Sequence, residues 1–412
     1  MTIHIVAAAS IAGAALLAAG TSTALAAPTY SLLSSIAIPA DSSNPNAGGA
    51  FTSFDISYFD PATRLDYVAD RSNASVDVFS GTSLSYAGRA TGFTGQGATT
   101  SVSGADGVVV ANHGAQHTLF AGDGNSTLKS FNLTASPTSP PPQFTPLNTG
   151  GSFRVDEMAY SPSTNLVLVA NNADAPAFST LVDASTGQAV HSHIVIPGAA
   201  ATDGLEQPVW DSKTKSFFVS VPSFGGDFAG GIAEINTDGS VGRLYKFASF
   251  GIASCSPTGL ALGGSGNLLV GCGNAHTQTV LLNPAGTGSV VARIGQVSGS
   301  DELYYDSATS DFFATGVGPT GQVFDVIADT SSANILQSVS LPAVNAHSIA
   351  VDPGNGNVFL PLPGGPTNSV CSLGCVAVFA QSVPEPGTLP VFATAVAGLA
   401  VLGLRRRRSQ AD

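Results

Sequence analysis

A short unit recurs along this chain: an apolar strand, a tight turn built on Asp, Ser or Gly, and a second apolar strand. Clear copies run over Ile56–Asp70, Met158–Asn171 and Pro208–Ser220, with three more over Leu260–Gly271, Leu303–Ala314 and Ile349–Leu360. A weaker copy runs from Val108 through Phe120 into Asn132. The turn positions Asp60, Ser161, Asp211, Gly263, Asp306 and Asp352 recur at about 45–50 residues once the weak copy is allowed for, the length of a four-stranded propeller blade. A unit this small cannot bury its own apolar faces and must stack on neighbours. Seven units fill the body, so the expected fold is an all-β, seven-bladed β-propeller. Composition agrees: 47 glycines and 25 prolines against a charged fraction of 10% suit many short strands and tight turns. Alternation in Ser75-Val-Asp-Val-Phe79 and Gln322-Val-Phe-Asp-Val326 predicts half-buried antiparallel strands.

The ends of the body bear on closure. The last unit stops at Val376–Ala380 with three strands, whereas Leu32–Pro39 reads as a fourth strand with no preceding three. Pairing Ala377–Ala380 with Leu32–Ile38 would complete one blade and remove two open edges, giving a propeller domain over 27–381.

Outside the body lie two processing segments. Residues 1–26 read as a signal peptide: the run is small and apolar, and Ala24-Leu25-Ala26 provides a small-x-small cleavage pattern, although no Lys or Arg precedes it. Residues 382–412 form a tail with Val383, Pro384, Glu385 and Pro386, an apolar transmembrane segment at 388–404, and Arg405, Arg406, Arg407 and Arg408. The prolines keep the motif extended, the apolar run is near the shortest that spans a bilayer, and the arginines favour the cytoplasmic side. This order of parts resembles the PEP-CTERM sorting signal. The resemblance implies recognition of Pro384, Glu385 and Pro386 by an exosortase and removal of the helix. It predicts an exported protein, anchored in the inner membrane before processing and afterwards at the cell surface or in the extracellular matrix.

Tyr67-Val-Ala-Asp-Arg-Ser-Asn-Ala-Ser-Val-Asp-Val-Phe79 and Leu168-Val-Ala-Asn-Asn172 resemble the YVTN-type propeller repeat. Proteins of that kind include surface-layer proteins, lactonases and many without assigned activity, so the repeat speaks to architecture.

Excluding the tail arginines, the body carries 10 basic and 25 acidic residues, a balance that repels nucleic acid and anionic lipid. Its four cysteines read as two disulfides. A Ser-Leu-Gly spacer separates Cys371 from Cys375, and a hairpin between the apolar segments near Leu260 and Leu268 would bring Cys255 and Cys272 together. The spacings match no zinc-binding pattern.

In a propeller, residues just before the innermost strands gather around one mouth of the central channel. Those positions hold Asp55, Asp106, Asp156, Glu157, Asp203, Glu206, Asp301, Glu302 and His347, with an internal echo between Asp156-Glu157 and Asp301-Glu302. Such carboxylates can hydrogen-bond their own blades, bind a ligand, or hold calcium or another divalent cation. With the histidine they can also serve acid–base hydrolysis. His191 and His193 alternate on an apparent outer strand, where solvent exposure is expected, and Pro137–Pro146 reads as an exposed loop between blades. No Gly-x-Ser-x-Gly elbow or phosphate-binding loop is present.

The resulting expectation is a non-catalytic surface propeller that binds a protein, glycan or matrix component. Signal peptidase and exosortase would be its partners during export. The alternatives are a lactonase-like hydrolase using the acidic mouth, with or without a divalent cation, and a structural component of a surface layer.

Overall fold

The computed structural model describes residues 29–200, 204–273, 278–342 and 345–382. The expected signal peptide, the tail from Val383 and Asp203 lie outside them. Among the described residues no helix is long and apolar enough to cross a membrane.

Among the described residues, twenty-eight strands form seven antiparallel four-stranded sheets. Their innermost strands are Phe54–Asp60, Val108–His113, Met158–Ser161, Pro208–Asp211, Pro257–Leu262, Leu303–Asp306 and Ala350–Asp352, which define blades 1 to 7 in that order. Each innermost strand meets the next around the ring, and Phe54–Asp60 meets Ala350–Asp352. The chain is a closed seven-bladed β-propeller.

The recurring turn has a local chemical cause. The N–H of its fifth residue donates to the carbonyl of its first: Arg64 to Asp60 at 2.8 Å, Lys215 to Asp211 at 2.9 Å, Ser310 to Asp306 at 2.9 Å. The aspartate side chain accepts a threonine hydroxyl from the fourth position, at 2.6 Å from Thr63, 3.0 Å from Thr214 and 3.2 Å from Thr309. These bonds hold the fifth residue in left-handed backbone, with φ of 56° at Arg64, 57° at Lys215 and 61° at Ser310. Blade 7 places Gly356 there, at φ 73°.

Seven apolar layers bind the ring, one between each pair of adjacent blades. In blade 5, Leu268, Val270 and Cys272 face blade 4 while Leu269 faces blade 6. In blade 3, Val167 and Val169 meet blade 2 while Leu168 and Ala170 meet blade 4. Side chains alternate across a strand, so sheets covered on both faces need continuous apolar runs. This corrects the half-buried expectation for Ser75–Phe79 and Gln322–Val326: the polar members of that alternation, Asp77 and Asp325, are themselves buried between blades.

Closure follows the expected pairing. The strand Thr29–Ala37 runs antiparallel to Gly374–Ser382, with Leu32 opposite Phe379, Ser35 opposite Ala377 and Ile36 opposite Val376. Tyr30 enters the layer between blades 6 and 7, and Ile36 the layer between blades 7 and 1. Both disulfides form as paired, Cys255–Cys272 and Cys371–Cys375. The segment Pro137–Pro146 is a largely exposed loop, as expected, but it does not join two blades. It lies inside blade 2, between the strands Thr127–Asn132 and Leu147–Asn148, and the Tyr67 hydroxyl of blade 1 donates to the Pro137 carbonyl.

Candidate functional site

Short backbone bonds fix the residues ahead of the innermost strands. The N–H of Asp106 donates to Gly122 O (3.1 Å), that of Asp156 to Ala170 O (2.7 Å), and that of Glu206 to Ser220 O (3.0 Å). Each residue is thereby pinned to the end of its blade's second strand. Gly107 lets blades 2 and 3 approach closely here, since a Cβ at that position would lie 2.0 Å from the Asp156 carbonyl oxygen.

The candidate carboxylates converge, and two arginines organise them. Arg71, 5% exposed, lies 2.6 Å from Asp55 and 2.5 Å from Asp106, and its Nη1 donates to the Phe54 carbonyl at 2.9 Å. Arg154 is 2.7 Å from Asp156 and 4.0 Å from both Asp55 and Asp106. His347 stacks on Phe54 with 4.3 Å between ring centroids, and its Nε2 lies 3.9 Å from Asp55.

Electrostatics split this group. Burial alone would raise Asp55, but Arg71, Arg154 and His347 outweigh it and hold its carboxyl below the usual range. Asp106 is pushed up to about 7 by burial, which Arg71 offsets only in part. Burial lifts Asp156 well above the carboxylate range despite Arg154. Both arginines are raised further: burial works against their charge, and the surrounding carboxylates more than restore it.

The two Asp-Glu pairs divide between two cavities. Asp301 lines a polar cavity of about 270 Å³ together with Asp55, Arg71, Arg154, Asn345 and His347. Glu157 and Glu302 line a second cavity of about 350 Å³ inside the channel, walled by apolar side chains and by Tyr58, Tyr160, Trp210 and Tyr304. Their roles differ. The Glu302 Oε2 accepts from the N–H of Ser57 and of Ile349, each at 3.3 Å, and from the Ser348 hydroxyl, so it ties blade 6 to blades 7 and 1. Gln207 likewise links three blades: its Oε1 accepts from Leu260 and Leu303 N–H at 2.6 and 2.9 Å, and its amide donates to Leu303 O at 3.1 Å. Glu157 has no such commitment, and its buried Oε2 has no hydrogen-bond partner. Burial, followed by the neighbouring Asp301 and Glu206, raises Glu157 well above its ordinary range.

Among the described residues two groups place acidic or histidine ligand atoms within 4.8 Å of one another: Asp55, Asp301 and His347, and Glu157, Glu206 and Asp301. His191 and His193 belong to neither group. Both are exposed on the outer strand Gln188–Ile194, where His193 adopts φ 55° and stacks on Phe178.

Sequence reasoning missed Arg71, Arg154 and Gln207. A usable signal existed for the arginines, which are scarce in so acidic a body: Arg154 stands two residues before Asp156, and Arg71 sits in the repeat segment Val-Ala-Asp-Arg.

Fold and mouth together define a seven-bladed propeller with a charged, arginine-organised channel end. No family model matches the chain, and no curated protein matches it. Solved propellers do. The β-propeller domain of Myceliophteria thermophila Cps50 (Swd1) is 11% identical over 86% of this chain and 100% of that one, with a TM-score of 0.59. A chain of the mitotic checkpoint complex is 12% identical over 84% and 97%, with a TM-score of 0.57. A chain of Kuenenia stuttgartiensis hydrazine synthase is 13% identical over 64% and 80%, with a TM-score of 0.51. At these identities the likeness is one of fold.

Proposed function

We propose that the protein is an exported binding module that takes an uncharged polar ligand of carbohydrate type at its polar mouth, as found in cell-surface or matrix glycans. One observation carries this reading: Arg71 is paired with Asp55 and Asp106, and Arg154 with Asp156. The mouth thus offers fixed donors and acceptors whose charges largely answer one another, which suits hydroxyl groups better than a formal ion. The adjoining cavity of about 270 Å³ has room for a sugar-sized segment, with Thr100 and Asn345 as neutral polar groups in its wall.

Export is supported by the two disulfides, which belong to oxidising compartments. In this reading signal peptidase removes residues 1–26, and an exosortase processes the tail at Val383–Pro386 after a period of membrane anchoring. A lactonase-like hydrolase is the second reading. It is favoured by Glu157, a buried carboxyl with raised proton affinity beside an apolar cavity, the usual setting of a general acid.

A glycan array probed with the purified protein tests the first reading. Retention of one glycan class, weakened at least about tenfold by Asn345→Ala or His347→Gln at unchanged melting temperature, is the expected result. Absence of glycan binding combined with lactone turnover lost in Glu157→Gln would replace it with the second.

A further inference from the structure

We infer that Glu157, Glu206 and Asp301, contributed by blades 3, 4 and 6, form a site for a divalent cation of the hard, oxygen-seeking class, of which Ca2+ is the natural probe. The three side chains place carboxylate oxygens within 4.8 Å of one another. A cluster of acids alone would prove little, because exposed carboxylates often gather without a metal. Here one member, Glu157, is 3% exposed, places a carboxylate oxygen within 4.8 Å of those of Glu206 and Asp301, and leaves its buried Oε2 without a hydrogen-bond partner. Leaving such an oxygen unpaired is costly, and a cation bridging to the other two carboxylates removes the cost.

The neighbouring group shows why this triad is the one selected. Asp55, Asp301 and His347 are equally close, but Asp55 already has a guanidinium at 2.6 Å in Arg71. Two nearby polar side chains are engaged with other blades. The Gln207 amide binds Leu260 and Leu303, and the Glu302 Oε2 takes Ser57, Ser348 and Ile349. Among the described residues Arg71 and Arg154 are paired with the aspartates at the mouth, Arg71 with Asp55 and Asp106 and Arg154 with Asp156. Arg154 also interacts electrostatically with Glu206. Asp301 lines the polar cavity and Glu157 the apolar one, so the triad stands between them and a cation can arrive through the mouth. An all-carboxylate donor set without cysteine favours Ca2+, Mg2+ or Mn2+ over Zn2+ or Cu2+.

The inference is independent of the carbohydrate reading, and its test uses metal alone. The full-length protein is stripped with EDTA and titrated with CaCl2, MgCl2 and MnCl2 while thermal unfolding is followed. Tb3+ serves as a luminescent stand-in for Ca2+, sensitised by Tyr160, Tyr304 and Trp210, which line the same cavity as Glu157. The expected result is a rise in melting temperature at submillimolar Ca2+ and a Tb3+ signal displaced by Ca2+. Both are lost in Glu157→Gln and in Glu206→Gln. Both are kept in Asp325→Asn, which alters a buried carboxyl in the third strand of blade 6, outside the triad. The inference is overturned if the stripped wild-type protein shows neither response up to millimolar concentrations. It is equally overturned if both responses persist in Glu157→Gln. Should either glutamine variant fail to fold, the wild-type Tb3+ titration with Ca2+ competition decides alone, since absence of the displaceable signal is fatal.

Discussion

The mouth of the channel and the group just behind it use the same residue type in opposite ways. At the mouth, Asp55, Asp106 and Asp156 lie within 2.5–2.7 Å of Arg71 or Arg154. Behind it, Glu157 is surrounded by Asp301, Glu206, Asp156 and Glu302, and its free oxygen faces no donor. In the first arrangement each carboxyl group has a guanidinium partner. The second is unbalanced, and burial makes the imbalance expensive.

Removing the cation from the balanced side should have the largest effect. Arg71→Met leaves Asp55 and Asp106 buried without their partner and should cost about 3–5 kcal/mol of stability in urea unfolding at pH 8. A loss below about 1 kcal/mol would mean that the mouth is not held by this network.

A carboxyl with no cation should give the reverse behaviour with pH. Asp66 is fully buried, accepts only the Ser57 hydroxyl at 2.9 Å, and is pushed up to about 7 by burial. Its raised value means that the native state holds a proton the unfolded chain releases near pH 4. Its contribution to stability is therefore complete below pH 4 and is lost as pH rises through 7, by up to about 4 kcal/mol. Asp66→Asn should remove that slope and be more stable than wild type at pH 8; an unchanged pH profile would count against it.

Next in size is the wall of the polar mouth. Thr258 and Gly273 line that cavity and stand beside the Cys255–Cys272 disulfide, which closes 17 residues. Replacing both cysteines by serine should cost about 3 kcal/mol. The mouth variants Asn345→Ala and His347→Gln provide the check that ligand binding weakens along with the wall. The smallest effect belongs to the unbalanced side: in metal-free protein Glu157→Gln should raise stability by about 1–2 kcal/mol at pH 8, because an amide replaces a buried carboxylate. A fall instead would show that Glu157 has a favourable partner.

Much of this is legible in the sequence. Asp60, Asp211 and Asp306 announce a turn whose hydrogen bonds are local, so their recurrence counted the blades, and the missing fourth strand after Ala380 identified its replacement near Leu32. The pre-strand carboxylates could be placed at one mouth because a propeller fixes which strand is innermost. Less legible was what surrounds them. Arg71 reaches Asp106 across 35 residues, and Glu302 turns to Ser57 across 245, separations over which no spacing rule applies. Alternation in Ser75–Phe79 revealed two faces of a strand but not that a neighbouring blade covers each, so the strands read as half-buried while Asp77 and Asp325 are buried. The echo of Asp156-Glu157 in Asp301-Glu302 identified both pairs but could not show that Glu302 is a cross-link while Glu157 is not.

The seam of the ring has a mechanical meaning. Thr29 lies opposite Ser382, with their hydroxyl oxygens 2.6 Å apart, and Ala37 lies opposite Cys375. Tension applied between Thr29 and Ser382 therefore loads the same end of one antiparallel ladder and peels it pair by pair, whereas shear would have to break every pair together. The unzipping runs toward the pair of Ala37 with Cys375. Under pulling, the molecule should yield at this single seam while the six remaining sheets keep their four strands.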